Sequence, residues 1–193
     1  MTRTRFGTFS LAAIAWLAAS ATASAGFLGS TITSQYYAYG SKSGAGTTFT
    51  ADGQAHARFA NYFDVIATDS QIIYEYRSPV VWSASAASLN QDGLYIENGN
   101  LLTFADAPSI IGVAINAATN VSRFSAANVT FHEGALAVNW ARLSFTSGSR
   151  IVLDLTAAPP VVAEPPALAL MLGGLACAAG AHRSRRRRRG PDA

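Results

Sequence analysis

With 193 residues, the chain has room for one ordinary domain plus short appendages. Its formal net charge of +3 is unevenly spread: between Gly26 and Pro160 six basic residues face nine acidic ones, so the middle is mildly acidic and the excess of arginine belongs to the ends. That distribution removes the case for nucleic-acid binding by the domain, and Cys177, the single cysteine, excludes an intramolecular disulfide, so core packing alone must hold the fold.

The first 25 residues read as a signal peptide for the Sec translocon. Arg3 and Arg5 give a short positive region, and an apolar run from Phe9 to Ala19 follows. Ala23-Ser24-Ala25 then supplies the small-x-small pattern that precedes cleavage, with Gly26 as the first mature residue.

Residues 26–157 read as one all-β extracellular domain, an antiparallel β-sandwich of jelly-roll-like form. Short strands are expected over Ser34 to Tyr39, Thr47 to Thr50, His56 to Phe63, Ser70 to Tyr76 and Val80 to Ser83. Gly93 to Glu97 and Leu101 to Phe104 flank Asn98-Gly99, a strong hairpin signal. Ser109 to Ile115, Asn128 to Phe131 and Ala135 to Trp140 come next. Leu143 to Phe145 and Ile151 to Leu155 form a last pair around Thr146-Ser147-Gly148-Ser149. Ile151, Leu153 and Leu155 face one way, Val152 and Asp154 the other, while Ile72, Tyr74 and Tyr76 alternate with Ile73 and Glu75. Gly and Ser punctuate the stretch about every 8–12 residues, as in a sandwich. Residues 105–127 leave room for one helical turn.

Little in this domain points to catalysis. His56 and His132 are far apart and belong to no metal-binding spacing, and His132-Glu133 reads as a solvent-facing turn. Asp64, Asp69, Asp92 and Glu97 could serve a calcium site, but Asn90-Gln91-Asp92-Gly93 lacks the spacing of a calcium loop. There is no Gly-x-Ser-x-Gly and no cysteine in the domain. Paired carboxylates for glycoside hydrolysis depend on spatial pairing, which spacing does not reveal. No cofactor, metal or catalytic residue is therefore expected. Aromatics are the more informative class. Trp82 and Trp140 are expected to fill the core, whereas Tyr36, Tyr37 and Tyr39 are candidate ligand aromatics, at least one of them exposed, suited to stacking on sugar rings.

Residues 158–166 form a proline-rich linker ending Val162-Ala163-Glu164-Pro165-Pro166, and Ala167 to Ala181 carries no charge. As a helix that stretch spans about 22 Å, short of a hydrocarbon core of about 30 Å. Snorkelling arginines and local thinning of the bilayer can close the gap, giving a single transmembrane helix over 167–182. Arg183, Arg185, Arg186, Arg187, Arg188 and Arg189 mark residues 183–193 as the cytoplasmic tail. With both ends inside, the domain faces outward.

This three-part terminus resembles the PEP-CTERM sorting signal. Val162, Glu164 and Pro165 match its Val-Pro-Glu-Pro opening, and Ala163 stands in place of the first proline. The layout of the middle is also similar to domains found before such tails: an early Gln-Tyr-Tyr, Ile-Ile-Gly-Val, then Asn-Trp-x-x-Leu before Val-Leu-Asp-Leu. The resemblance implies a substrate of exosortase, a membrane-embedded cysteine transpeptidase of Gram-negative bacteria. The helix would hold the chain at the inner membrane, cleavage would fall near the Glu-Pro step, and the domain would pass to the cell surface or an exopolysaccharide-rich matrix. The expected function is thus a non-catalytic surface or matrix protein. A carbohydrate-binding module with the same delivery and exopolysaccharide as partner is the alternative, and a secreted glycosidase comes third.

Overall fold

The computed structural model describes residues 26–58, 60–84, 88–89 and 93–160, with the backbone alone at 57, 88 and 89. The expected signal peptide, terminal helix and arginine tail lie outside the described residues, and so do Ala23, Ala25, Val162, Glu164, Pro165 and Arg183 to Arg189. Among the described residues no helix is long and apolar enough to cross a membrane.

The described chain is all-β, and every strand pairing is antiparallel. In chain order the strands are β1 (Thr31–Ala38), β2 (Ser41–Lys42), β3 (Thr47–Thr50), β4 (Ala55–Arg58), β5 (Phe63–Ala67), β6 (Gln71–Tyr76), β7 (Val80–Val81) and β8 (Ser88–Leu89). They continue with β9 (Tyr95–Ile96), β10 (Gly99–Ala105), β11 (Ile110–Ile115), β12 (Val129–His132), β13 (Ala135–Asn139), β14 (Ser144–Phe145) and β15 (Arg150–Ala157). One sheet runs β12-β13-β10-β1-β2, with β3 also paired to β1; the other runs β11-β15-β6-β5-β4. Two small ribbons, β7 with β14 and β8 with β9, complete the set.

Alternation along the strands builds one core between the sheets. Ile32, Tyr36, Leu102, Leu136 and Val138 enter it from the first sheet; Phe63, Val65, Ile72, Tyr74, Tyr76, Ile151, Leu153 and Leu155 enter from the second. Trp140 sits at its centre. Its ring lies 4.8 Å from Phe63, 5.4 Å from Trp82 and 5.5 Å from Tyr74, mostly edge to face. The opposite face of the first sheet is covered as well: Tyr37, Leu101, Ala135 and Ala137 pack with Leu94 and Ile96 in a second cluster. The opposite face of β15 turns polar, where Asp154 accepts hydrogen bonds from Gln71 Nε2 at 2.6 Å and Asn116 Nδ2 at 2.9 Å.

Three expectations about pairing are corrected. Asn98-Gly99 is not a hairpin turn: β9 pairs with β8, whereas β10, which begins at Gly99, pairs with β1 and β13. Glycine is needed there for close approach, because a Cβ at 99 would stand 2.0 Å from the carbonyl oxygen of Val138. Leu143 to Phe145 and Ile151 to Leu155 do flank a turn, closed by Ser149 N donating to Thr146 O at 3.0 Å, but they do not pair with each other. β14 joins β7, and β15 joins β6 and β11. The expected strand His56 to Phe63 breaks into β4 and β5, with Ala60 and Asn61 at positive φ between them. The stretch 105–127, which leaves room for a helical turn, ends in a 3-10 turn at Ala126–Asn128 that takes in Asn128, the first residue of the expected strand.

Two outcomes follow from this packing. Gly99→Ala should destabilise the domain by about 3 kcal/mol or more, since backbone and not a flexible side chain blocks the new methyl; urea unfolding measures it. Burial also raises the Tyr74 and Tyr76 phenols well above their ordinary value. Their folded values exceed the unfolded one, so their contribution is complete below pH of about 10 and is lost as pH rises beyond it. Together they should remove about 3 kcal/mol in all between pH of about 9 and about 11, seen as a falling urea midpoint across that range.

Candidate functional site

The β1–β2 hairpin turns through two residues, since Ala38 pairs with Ser41. Both central residues are left-handed, Tyr39 at φ 52° and Gly40 at φ 71°, as a type I′ turn requires. Glycine and asparagine suit that conformation. A tyrosine there carries a steric cost of about 1–2 kcal/mol. Packing does not compensate at this position, because Tyr39 is 69% exposed.

This turn is fastened to Glu97. The Gly40 amide donates to the Glu97 carbonyl at 3.1 Å. The Glu97 side chain is buried, and its Oε1 accepts from the Tyr95 hydroxyl at 3.0 Å and from Arg142 Nη1 at 3.2 Å. Tyr95 is 42% exposed and the Arg142 side chain 64%, so a buried carboxylate holds two exposed groups in place. The hydrogen bond to that carboxylate is the main reason the Tyr95 phenol titrates above its ordinary value. Arg142 is itself left-handed, at φ 67°, and its amide donates to the Trp82 carbonyl at 2.8 Å. Arg123, at φ 65°, reaches across to the Arg142 carbonyl with Nη2 at 2.9 Å. Tyr39, Tyr95, Arg123 and Arg142 therefore share one corner of the domain, built around Glu97.

Of the three candidate ligand tyrosines, the structure leaves only Tyr39 outside. Tyr36 points into the main core, its hydroxyl donating to Asn98 Oδ1 and its ring 5.4 Å from Trp82. Tyr37 is buried on the other face of the sheet, in the second cluster. The three do not form one platform, because consecutive strand residues must leave on opposite faces. Trp82 and Trp140 are interior, as expected. Tyr95, Arg123 and Arg142 were not singled out by sequence; each sits in a segment whose neighbours are set by pairing distant in the chain.

The acidic residues considered for calcium are scattered. Asp64 lies on β5, Asp69 in the β5–β6 turn beside the Leu28 amide, and Glu97 in the corner just described; Asp92 is outside the described residues. Among the described residues no three His, Cys, Asp or Glu side chains are grouped to hold a metal ion. His132 and Glu133 are exposed, at the end of β12 and in the following turn. Two carboxylates do meet: Asp64 and Glu75 are direct partners across β5 and β6, and both line a cleft of about 450 Å³. Each is matched by an arginine, Arg77 to Asp64 at 2.6 Å and Arg150 to Glu75 at 3.2 Å, which makes this a row of ion pairs across the sheet.

No protein-family model, curated protein or solved structure matches the chain.

Glu97→Gln removes the negative charge beside Tyr95. The Tyr95 phenol should then titrate nearer its ordinary value, as read by NMR of ring-labelled tyrosine; an unchanged titration would mean that Glu97 does not hold the hydroxyl.

Proposed function

We propose that the chain is an exported, non-catalytic cell-surface or exopolysaccharide-matrix protein, delivered through a C-terminal sorting signal. The signal peptide would route it through the Sec translocon. The 167–182 helix would hold it transiently at the inner membrane, and exosortase would release the domain. The observation that carries this reading is the order Val162-Ala163-Glu164-Pro165, then an uncharged Ala167 to Ala181, then Arg183 to Arg189.

Two features of the domain agree with it. Phe27, the second residue after the expected cleavage, is already part of the core: it is buried, its ring lies 5.7 Å from Phe104, and its amide donates to Asp69 O at 2.9 Å. At the other end β15 stops at Ala157, so Ala158 to Ala163 separate the last strand from Glu164. Fully extended, that stretch reaches about 20 Å, enough to hold a motif clear of the domain for an enzyme at the membrane surface. The core shared between two antiparallel sheets supports a β-sandwich. The crossings from β3 to β4, β6 to β10, β10 to β11, β11 to β12 and β13 to β15 support the jelly-roll-like connectivity.

A carbohydrate-binding module with the same delivery is the second reading, and one observation favours it: Tyr39 and Tyr95 are exposed around the Glu97–Arg142 pair. Mass spectrometry of protein released by its native host should find a C-terminus near Glu164. Released protein that still carries Arg189 would refute the sorting reading.

A further inference from the structure

We propose that the corner bearing Tyr39, Tyr95, Arg123 and Arg142 binds an acidic polysaccharide, the tyrosine rings stacking on sugar faces and the arginines pairing with uronate carboxylates. This deepens the carbohydrate-binding reading and rests on it; it does not depend on how the chain is delivered.

Backbone strain is the first support. Among the described residues, six non-glycine residues have positive φ, and three of them, Tyr39, Arg123 and Arg142, converge on this corner. The exposed Tyr39 side chain gains nothing for the fold from its identity, since asparagine or glycine would fit the backbone with less strain, whereas the two arginines also engage Glu97 and the Arg142 carbonyl. Strain kept against a cheaper alternative is the mark of a functional position.

Preorganisation is the second. Glu97 is buried, yet it holds the Tyr95 hydroxyl and the Arg142 guanidinium at hydrogen-bond distance, and its carbonyl anchors the turn carrying Tyr39. Binding groups fixed in this way lose little side-chain freedom when a ligand arrives. The Arg142 side chain remains 64% exposed, so it keeps donors toward solvent while one nitrogen engages Glu97.

Charge selects the ligand class. Among the described residues, two arginines meet one buried carboxylate here, which leaves the corner locally positive on a domain that is otherwise mildly acidic. Planar guanidinium groups match carboxylates in bidentate fashion, and flat phenol rings match the apolar faces of pyranoses. Nucleic acid fits less well. A single strand needs a positive groove that tracks many phosphates, and Arg123 and Arg142 are two isolated charges.

The test uses the full-length chain purified in detergent and titrated calorimetrically with alginate oligosaccharides, with neutral dextran and single-stranded DNA as comparisons. Alginate should bind and dextran should bind at least about tenfold more weakly, while Tyr39→Asn should leave binding of DNA, to which the arginine tail contributes, unchanged. Tyr39→Asn should weaken alginate binding about tenfold while the melting temperature holds or rises, because asparagine suits the type I′ turn. Arg142→Gln should cause a similar loss. Absence of alginate binding, an equal loss of DNA binding in Tyr39→Asn, or unchanged alginate binding by that variant would each overturn the proposal. None of these results bears on processing near Glu164, which the mass of released protein tests separately.

Discussion

The fold depends on Trp140. Its ring contacts aromatic side chains from both sheets and from the β7 and β14 segments, including Tyr36, Phe63, Tyr74, Tyr76, Trp82 and Phe145. Its amide donates to the Asn98 carbonyl at 2.7 Å. In a domain with no disulfide, this cluster supplies both buried area and orientation, since edge-to-face aromatic pairs favour particular angles that aliphatic contacts do not. The asparagines beside it add register. Asn100 Nδ2 donates to Ser34 Oγ at 2.9 Å, its Oδ1 accepts from the Tyr74 hydroxyl at 3.1 Å, and Asn139 Oδ1 accepts from the Asn98 amide at 3.2 Å. A one-residue slip of β10 against β1 would send Asn100 to the wrong face and strand these polar groups without partners.

The same constraint decides what the three neighbouring tyrosines do. β1 alternates, so Tyr36 enters the Trp140 cluster and Tyr37 is driven to the far face, beneath Leu94 and Ile96. Tyr39 falls beyond the strand, at the tip of the hairpin. Core packing at Tyr36 thus fixes the position from which Tyr39 projects. The corner around Glu97 is likewise an extension of the core: Arg142 follows Trp140 by two residues, and its amide is bound to the Trp82 carbonyl.

The strand pattern was legible wherever alternation was strong. Ile72, Tyr74 and Tyr76, and Ile151, Leu153 and Leu155, point inward as their spacing implies, because a period of two is a local property. Partner choice was not legible. Asn98-Gly99 carries the composition of a tight turn, yet glycine there answers to Val138, a residue far along the chain, so no local window could report it. Leu143 to Phe145 failed as a hairpin partner for the same reason, being taken by Val80 and Val81. The candidate site follows this division. Tyr39 stood out as one of three clustered tyrosines, but its separation from Tyr36 and Tyr37, and its association with Tyr95 and Arg142, arise only once Glu97 is brought against the β1–β2 turn.

The parts of the corner differ in how tightly they are bound to the fold. Glu97 is buried, and removing its carboxylate would leave Arg142 and Tyr95 without their common acceptor, so its loss would affect stability and geometry together. Tyr39 contributes to neither. It is solvent-facing, strained by its own backbone, and replaceable by residues that fit the turn better. Exchange to asparagine or glycine would lower the free energy of the folded state, so the fold does not account for the tyrosine. What remains at this corner is a strained, exposed tyrosine beside a second exposed tyrosine and an arginine held on a buried carboxylate, an arrangement whose strain the interior of the domain does not offset.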